Sequence, residues 1–232
     1  MKKIAIMQPY FFPYIGYWQL IKSVDTFVIY DNLKYTKKGW INRNRFLQNG
    51  SDCLFTVPLK NDSDYLDIKD RYLSSDFNKN KLVAQLRGAY GKAPYGNQIL
   101  PLIEGIINYD DNNLFEYILN SIKTICQYLD IDTEIVISST INIDRSLKSQ
   151  DKVLAICKAK DATTYINAIG GTELYDKEGF RSRGIELKFI KSRNIEYKQF
   201  DNTFVPWLSI IDVMMFNDQS KIKQMLEQYE LV

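Results

Sequence analysis

The chain has 232 residues, enough for one sizeable hydrophobic core, and 45% of them are hydrophobic. Its 30 Lys and Arg residues balance 28 Asp and Glu residues, and a net charge of +2 argues against a dedicated nucleic-acid surface, which needs a dense basic patch. The chain has no histidine, and this excludes Ser-His-Asp and Cys-His catalytic sets as well as zinc sites built on histidine.

The three cysteines are widely spaced and form no Cys-x-x-Cys pair, which is typical of a protein from a reducing compartment. Cys126 and Cys157 fall on apolar faces of predicted helices, so we interpret them as core residues. No apolar stretch is long enough for a membrane helix, and Gln8-Pro9 ends the apolar start too early for a secretory leader. We therefore expect a cytoplasmic protein with no membrane span and no metal site.

The first 45 residues predict the opening of an α/β sheet. An apolar strand from Ile4 to Met7 leads into a loop with two prolines and four aromatic residues, then into an amphipathic helix. A second strand, Thr26 to Tyr30, ends at Asp31. Parallel sheets bind ligands outside the carboxyl ends of their strands, which makes Gln8 and Asp31 candidate ligand residues. We predict that the aromatic loop lines a pocket, with contributions from Tyr10, Phe11, Tyr14 and Trp18.

A hairpin is predicted next, with strands at Trp40 to Phe46 and Leu54 to Val57 joined by an Asn49-Gly50 turn. Five cations lie in or just before its first strand. They indicate either a solvated hairpin or a site for a small anionic ligand, and both interpretations stay open. The five are Lys34, Lys37, Lys38, Arg43 and Arg45.

The middle of the chain is mostly helical, with helical patterns at 78–90, 99–107 and 114–129. The α/β rhythm then resumes, with strands predicted at 135–138, 163–167, 185–190 and 195–197 and helices at 149–160, 208–216 and 221–229. We predict a single α/β domain over residues 1–232, with a mainly parallel sheet, a Rossmann-like opening and a helical insertion at about 78–130.

Two segments resemble motifs of nucleotidylyl transferases. Tyr14-Ile15-Gly16-Tyr17 has the spacing of their HIGH loop, where a glycine admits the nucleotide close to a helix start. Ile137-Ser138-Ser139-Thr140 resembles a late Ser-Ser-Thr motif of the same enzymes. Tyrosines stand where those enzymes have histidines, and tyrosine supplies no cation. The phosphate chemistry would therefore not transfer intact.

Two further features are each open to a functional and a structural interpretation. Gly170-Gly171-Thr172 follows the strand that contains Asn167, and it could hold an anion with backbone N–H groups or form an ordinary strand-to-helix turn. Asp212 lies in an almost wholly apolar helix, where a carboxylate is costly to bury unless it is paired or hydrogen-bonded. It could act on a ligand or hold the fold together.

The chain as a whole resembles the WbqC-like family, found in bacterial surface-polysaccharide gene clusters. The segments that carry this resemblance follow one another in order along nearly the whole length. They are Gln8 to Trp18, VDTFVIYDNLKY at 24–35, WINRNR at 40–45, Thr56 to Pro58, YINAIGGTELY at 165–175 and FVPWLSIIDVMMFN at 204–217.

The resemblance implies a cytoplasmic protein that works on nucleotide-linked sugars before they enter O-antigen or capsule. We hypothesise transfer of a small acyl or aminoacyl group, glycyl being one option, to the amino group of a nucleotide-linked amino-deoxysugar. The partners would be that sugar and a small acyl or aminoacyl donor, and no cofactor is firmly implied. A sugar amine titrates only a little above neutral pH, so the reaction does not require an imidazole.

On this hypothesis, residue chemistry indicates the role of each candidate. The rings of Tyr10, Phe11, Tyr14 and Trp18 would stack on a base or deoxysugar face. Lys34, Arg43 and Arg45 would hold the diphosphate. Asp31 or Asp212 would orient or deprotonate the amine, and Gln8, Asn42, Asn44 and Asn167 would bind sugar hydroxyls.

Two alternatives remain open from the sequence. An ATP-dependent amide ligase acting on the same sugar would suit the HIGH-like loop and would need ATP and Mg²⁺. A non-catalytic sugar-nucleotide-binding or scaffold protein would bind without turnover. Exposed tyrosines and tryptophans near the loop could equally form the interface of a homo-oligomer.

Overall fold

The computed structural model describes residues 1–201 and 203–232. Its strands in chain order are β1 (Lys3–Met7), β2 (Thr26–Ile29), β3 (Arg43–Gln48), β4 (Ser51–Thr56), β5 (Glu134–Ile137), β6 (Thr164–Ala168), β7 (Glu186–Ser192) and β8 (Tyr229–Leu231). Its helices are α1 (Ile15–Lys22), α2 (Lys79–Tyr90), α3 (Gly96–Ile107), α4 (Leu114–Tyr128), α5 (Ser149–Ala159), α6 (Lys177–Arg181), α7 (Ile210–Phe216) and α8 (Gln219–Leu226).

Six strands form the central sheet in the order β5-β2-β1-β6-β7-β8. The first five are parallel, and β8 runs antiparallel to β7 at one edge. Strand β1 has β2 on one side and β6 on the other, so the order of the chain reverses beside β1. This Rossmann-like arrangement places a topological switch point between β1 and β6, where such folds bind ligands at the carboxyl ends of the strands.

Helices cover both faces of the sheet, and alternate strand residues enter two separate hydrophobic clusters. Ala5 and Phe27 pack into the larger cluster, with α1 and the helices of the middle segment. Ile4 and Val28 point to the other face and pack with α5 and Phe180 of α6. Both faces are buried, which explains why β1 and β2 are nearly continuous apolar runs.

The segment between β2 and β5 contains the hairpin β3-β4 and the helices α2, α3 and α4. The hairpin turns at Asn49 and Gly50, whose φ angles of 51° and 76° are those of the turn that Asn-Gly favours. The side chains of Asn78 and Asn113 accept hydrogen bonds from the first turns of α2 and α4, which fixes where these helices begin. None of the described helices is long and apolar enough to cross a membrane.

Three elements differ from the sequence prediction, and one of them is the short helix α6, which the sequence analysis did not predict. Residues 195–197 form no strand, and the Tyr197 side chain there donates a hydrogen bond to the buried Asp212. The last predicted helix ends at Leu226, and the chain then adds the short strand β8. This strand is only three residues long and mostly exposed, so it carries no hydrophobic pattern that a sequence prediction could use.

Candidate functional site

The loop between β1 and α1 is held by hydrogen bonds from distant parts of the chain. The Phe12 carbonyl accepts one from Asn44 Nδ2 and one from Ser209 Oγ, both at 2.8 Å. The Pro13 carbonyl accepts another from the backbone N–H of Ile210, at 2.9 Å. These bonds join the loop to β3 and to the start of α7, so the three segments have a fixed relative position.

Two aromatic residues beside this junction have left-handed backbone conformations. The φ angles are 48° at Phe12 and 60° at Trp207. Such values are rare for bulky residues and cost free energy, and they persist where the surrounding structure enforces them, often at functional sites. Here they bring the Trp207 ring against the loop, where its centroid lies 5.8 Å from that of Tyr14.

A two-lobed groove, here named the aromatic groove, lies on either side of Tyr14 and Trp207, which line both lobes. The first lobe has a volume of about 220 Å³ and extends from the start of α1 to Arg193 and Tyr197, in the segment that follows β7. The second has a volume of about 210 Å³. Its other lining residues are Tyr10, Pro13, Trp40, Asn44 and Arg45. The groove is therefore rich in aromatic rings and has an arginine in each lobe.

The predicted cations have different positions around the groove. Arg45 lies 5.5 Å from the Trp40 ring centroid, pairs with Asp52 at 3.2 Å, and has a buried Nε with no partner in the described structure. Arg43 also packs on Trp40, but its guanidinium donates to the carbonyls of the 38–39 turn and does not line the groove. Lys34 lies over the ring of Tyr65 instead. The structure thus brings only Arg45 of the three into the groove.

The start of α1 carries the tyrosine that resembles part of a HIGH loop. Tyr14 precedes the helix and makes no side-chain capping bond. Its ring lies directly over Gly16, where any added Cβ would overlap it. The space in which a HIGH-like loop admits a nucleotide is therefore filled by this ring, which would have to rotate away first.

Two of the four predicted pocket rings are corrected by the structure. Phe11 and Trp18 are fully buried, and the Trp18 indole donates to the Pro13 carbonyl at 3.1 Å. They support the loop from below and offer no surface to a ligand. Tyr10 and Tyr14 are partly exposed and do line the groove.

The side-chain amides of Asn42 and Asn44 make hydrogen bonds within the protein. Asn42 donates to the Val57 carbonyl at 2.7 Å and accepts from the Tyr35 hydroxyl at 2.8 Å. Asn44 holds the carbonyl of Phe12 and is buried, although it borders the second lobe. We therefore assign both as positioning residues and not as contacts for sugar hydroxyls.

The candidates next to β1 and β6 lie at the switch point. Gln8 Oε1 accepts from the Tyr10 hydroxyl at 3.2 Å. The Asn167 side chain packs so closely on Gly171 that an added Cβ there would overlap it, whereas Gly170 is exposed with open space beside it. Both glycines belong to one 3₁₀ turn, Ile169–Leu174, and neither has a positive φ. Position 171 is a glycine because of this close packing, and not because its backbone is left-handed.

Asp31 follows the end of β2 and is hydrogen-bonded to the segment that follows β5. Its Oδ1 accepts from Ser138 Oγ and from the Ser139 backbone N–H, each at 2.8 Å. The Ser-Ser-Thr segment that resembles a nucleotidylyl-transferase motif thus holds a carboxylate here. No three metal-ligating side chains of the described residues are grouped so as to hold a metal ion.

Asp212 is fully buried in α7 and accepts hydrogen bonds from three side chains. These are Tyr90 at 2.8 Å, Tyr197 at 2.7 Å and Gln199 at 2.6 Å. Burial raises the pKa of Asp212 because it disfavours the charged form, and the three hydrogen bonds oppose this shift. Asp212 therefore reaches the groove only through Tyr197, which makes it a positioning residue.

Sequence reasoning missed Trp207, Tyr197 and Arg193 as groove residues. Each belongs to the segment between β7 and α7, far in sequence from the loop that it faces. The available signal was the segment FVPWLSIIDVMMFN at 204–217, which contains Trp207, but nothing in its pattern indicates that this ring faces the loop after β1.

The fold and the groove together define an α/β protein with a Rossmann-like sheet and an aromatic groove at the carboxyl ends of its strands. The chain belongs to the WbqC-like protein family, whose profile matches residues 8–224 and so includes every residue of the groove. It is 28% identical over 221 residues to the uncharacterized protein Rv1507c of Mycobacterium tuberculosis, and the match covers 94% of each chain. No solved structure matches the chain.

We predict that Asp212→Asn lowers the free energy of unfolding by about 1–3 kcal/mol, because the amide nitrogen cannot accept the bonds now made to one carboxylate oxygen. The pKa of Asp212 in the folded state is raised above its ordinary value of 3.8. Its contribution to the free energy of unfolding is therefore complete below pH 3.8 and is lost as the pH rises through the folded-state pKa. The difference between wild type and variant should therefore be largest at about pH 4 and shrink as the pH rises, as measured by urea unfolding at about five pH values.

Asp110→Asn provides the control, because Asp110 is exposed and makes no side-chain hydrogen bond in the described structure. A difference that grows with pH for Asp212→Asn would contradict this assignment of its pKa.

Proposed function

We propose that the chain is a transferase that attaches a small acyl or aminoacyl group to the amino group of a nucleotide-linked amino-deoxysugar. The aromatic groove is the observation that supports this proposal. It combines flat rings with two arginines at the carboxyl edge of a parallel sheet. A nucleotide-linked sugar has the matching parts, namely a flat base, a deoxysugar with an apolar face, and a diphosphate between them.

The exposed rings supply the stacking surfaces of the proposed complex. Trp207 is 63% exposed and Trp40 is 42% exposed, and the two border the same lobe of the groove. Aromatic side chains stack on bases and on apolar sugar faces, at little entropic cost because they have few rotatable bonds. Arg45 and Arg193 would bind the diphosphate through charge-assisted hydrogen bonds.

The proposed reaction forms an amide. The unprotonated sugar amine attacks the carbonyl carbon of the donor, the new C–N bond forms, and the bond to the donor's leaving group breaks. The proton lost from nitrogen passes to a base or to water. Asp31 is buried and lines neither lobe, so it stays the candidate base only for an amine that reaches the end of β2. The two hydrogen bonds that it accepts from described residues go to Oδ1, and Oδ2 could take the proton.

A non-catalytic binding function is the second candidate, and one observation favours it. The described residues that line the groove include no carboxylate, and Asp212 is sealed in the core beneath Tyr197. The ATP-dependent ligase is less favoured, because the Tyr14 ring fills the space over Gly16.

Trp207→Ala should weaken binding of a TDP-linked 4-amino-6-deoxysugar by about tenfold or more, since stacking on one aromatic side chain contributes about 1–3 kcal/mol. Calorimetric titration measures the dissociation constant. Tyr72→Ala is the matched control, because Tyr72 is 48% exposed and lies outside the groove. Equal affinity in wild type and Trp207→Ala would overturn the placement of the ligand.

The transfer itself is tested by mass spectrometry of the sugar nucleotide after incubation with acyl- and aminoacyl-thioesters. We expect a product heavier by the acyl group, formed without ATP. Tight binding with no product from any donor would favour the binding protein, and a product that requires ATP and Mg²⁺ would favour the ligase.

A further inference from the structure

A second cavity lies at the carboxyl ends of β2 and β5, and it shares no lining residue with the aromatic groove. Its volume is about 170 Å³. We name it the basic cavity. It is lined by Asn32, Asp67, Lys69, Ser139, Ile141, Ile143, Arg145 and Lys152.

The basic cavity has an excess of positive charge. Its lining includes three cations, Lys69, Arg145 and Lys152, and one carboxylate, that of Asp67. The buried carboxylate of Asp31 lies behind Ser139 and adds a second negative charge near Lys152. Twelve ion pairs occur among the described residues, and none of them includes any of these three cations. Three unpaired cations around one concave space attract an anion more strongly than cations spread over an open surface, because the walls exclude water.

Lys152 is the most constrained of the three. It lies near the start of α5, and its ammonium donates to the carbonyl and the side-chain oxygen of Asn32, at 3.3 and 3.1 Å. It also lies 5.0 Å from the centroid of the Tyr30 ring. Burial lowers the pKa of Lys152, and the nearby charges of Asp67 and Asp31 oppose this shift. The ammonium is thus partly desolvated and bound only to neutral oxygens.

Two serines place hydrogen-bond donors at the end of β5. The backbone N–H of Ser139 is fixed on Asp31, and its hydroxyl has no partner among residues 1–201 and 203–232. Ser138 Oγ lies 2.8 Å from Asp31 Oδ1 and 2.7 Å from Asn32 Oδ1. A hydroxyl has one proton, so Ser138 can donate to only one of these oxygens at a time. The Ser138 hydroxyl is thus committed to Asp31 and Asn32, whereas the Ser139 hydroxyl is available to a ligand in the cavity.

We propose that the basic cavity binds a phosphate or diphosphate group. Lys152 and Arg145 supply charge-assisted hydrogen bonds, Lys69 adds charge at the rim, and the Ser139 hydroxyl donates to a phosphate oxygen. The sheet edge then has two ligand sites, one on each side of β1. That the basic cavity binds an anion does not depend on the proposed function. That this anion belongs to a phosphate-bearing acyl donor does rest on the proposed function.

The test uses pyrophosphate as the probe, with inorganic phosphate, TDP and thymidine alongside, in calorimetric titrations of the whole chain at low ionic strength. Arg145→Gln and Lys152→Gln should each weaken pyrophosphate binding by about tenfold, and added NaCl should weaken it further. Arg145 is exposed and makes no side-chain bond in the described structure, so its variant should fold normally. Thymidine has no phosphate, so neither substitution should change the heat measured when thymidine is titrated.

Two controls separate this proposal from the groove. Lys81→Gln removes an exposed cation on α2 that lines neither site, and it should leave pyrophosphate binding unchanged. Trp207→Ala should also leave it unchanged while weakening nucleotide-sugar binding. Absence of pyrophosphate binding, or equal binding by wild type and both cavity variants, would overturn the anion site. Loss of pyrophosphate binding in Trp207→Ala would place the probe in the aromatic groove and overturn the anion site.

Discussion

The candidate site depends on the hydrogen bonds that the Phe12 carbonyl accepts from Asn44 and Ser209. One oxygen, in a loop that leaves the central strand, is bound at once by the hairpin and by the start of α7. Both donors are buried, and leaving such a carbonyl unpaired would cost about 1–3 kcal/mol. Tyr10 and Tyr14 belong to this loop, Trp40 precedes the hairpin strand β3, and Trp207 precedes α7. Their relative position, and thus the shape of the groove, follows from this junction.

The carboxyl edge of the sheet combines two unlike environments. On the β7 side, exposed rings and single arginines form a groove suited to a flat ligand with an anionic part. On the β5 side, three cations and Ser139 line a smaller cavity. Between them lie β1 and Asp31, the candidate base of the proposed reaction. A transferase needs two substrates side by side, and this edge offers two places for them around the switch point.

Much of the fold could be predicted because local patterns determine it. Apolar runs predicted the buried strands, Asn49-Gly50 predicted the hairpin turn, and the period of 3.6 predicted α4. The site was harder, because its contacts join distant segments. No local pattern indicates a left-handed backbone at Phe12, so the sequence could not tell which loop rings turn inward. The partners of Asp212 likewise come from α2 and from residues 197–199, and only the folded chain brings them together.

The central claim is that the aromatic groove holds the nucleotide-linked sugar, and a crystal structure of that complex tests it most directly. We expect electron density for the base or the deoxysugar against Trp207 and Trp40, with the diphosphate at Arg45 or Arg193. In that structure Asp212 should remain buried beneath Tyr197. Density for the base and sugar anywhere outside the groove would contradict the account, even if binding in solution were tight.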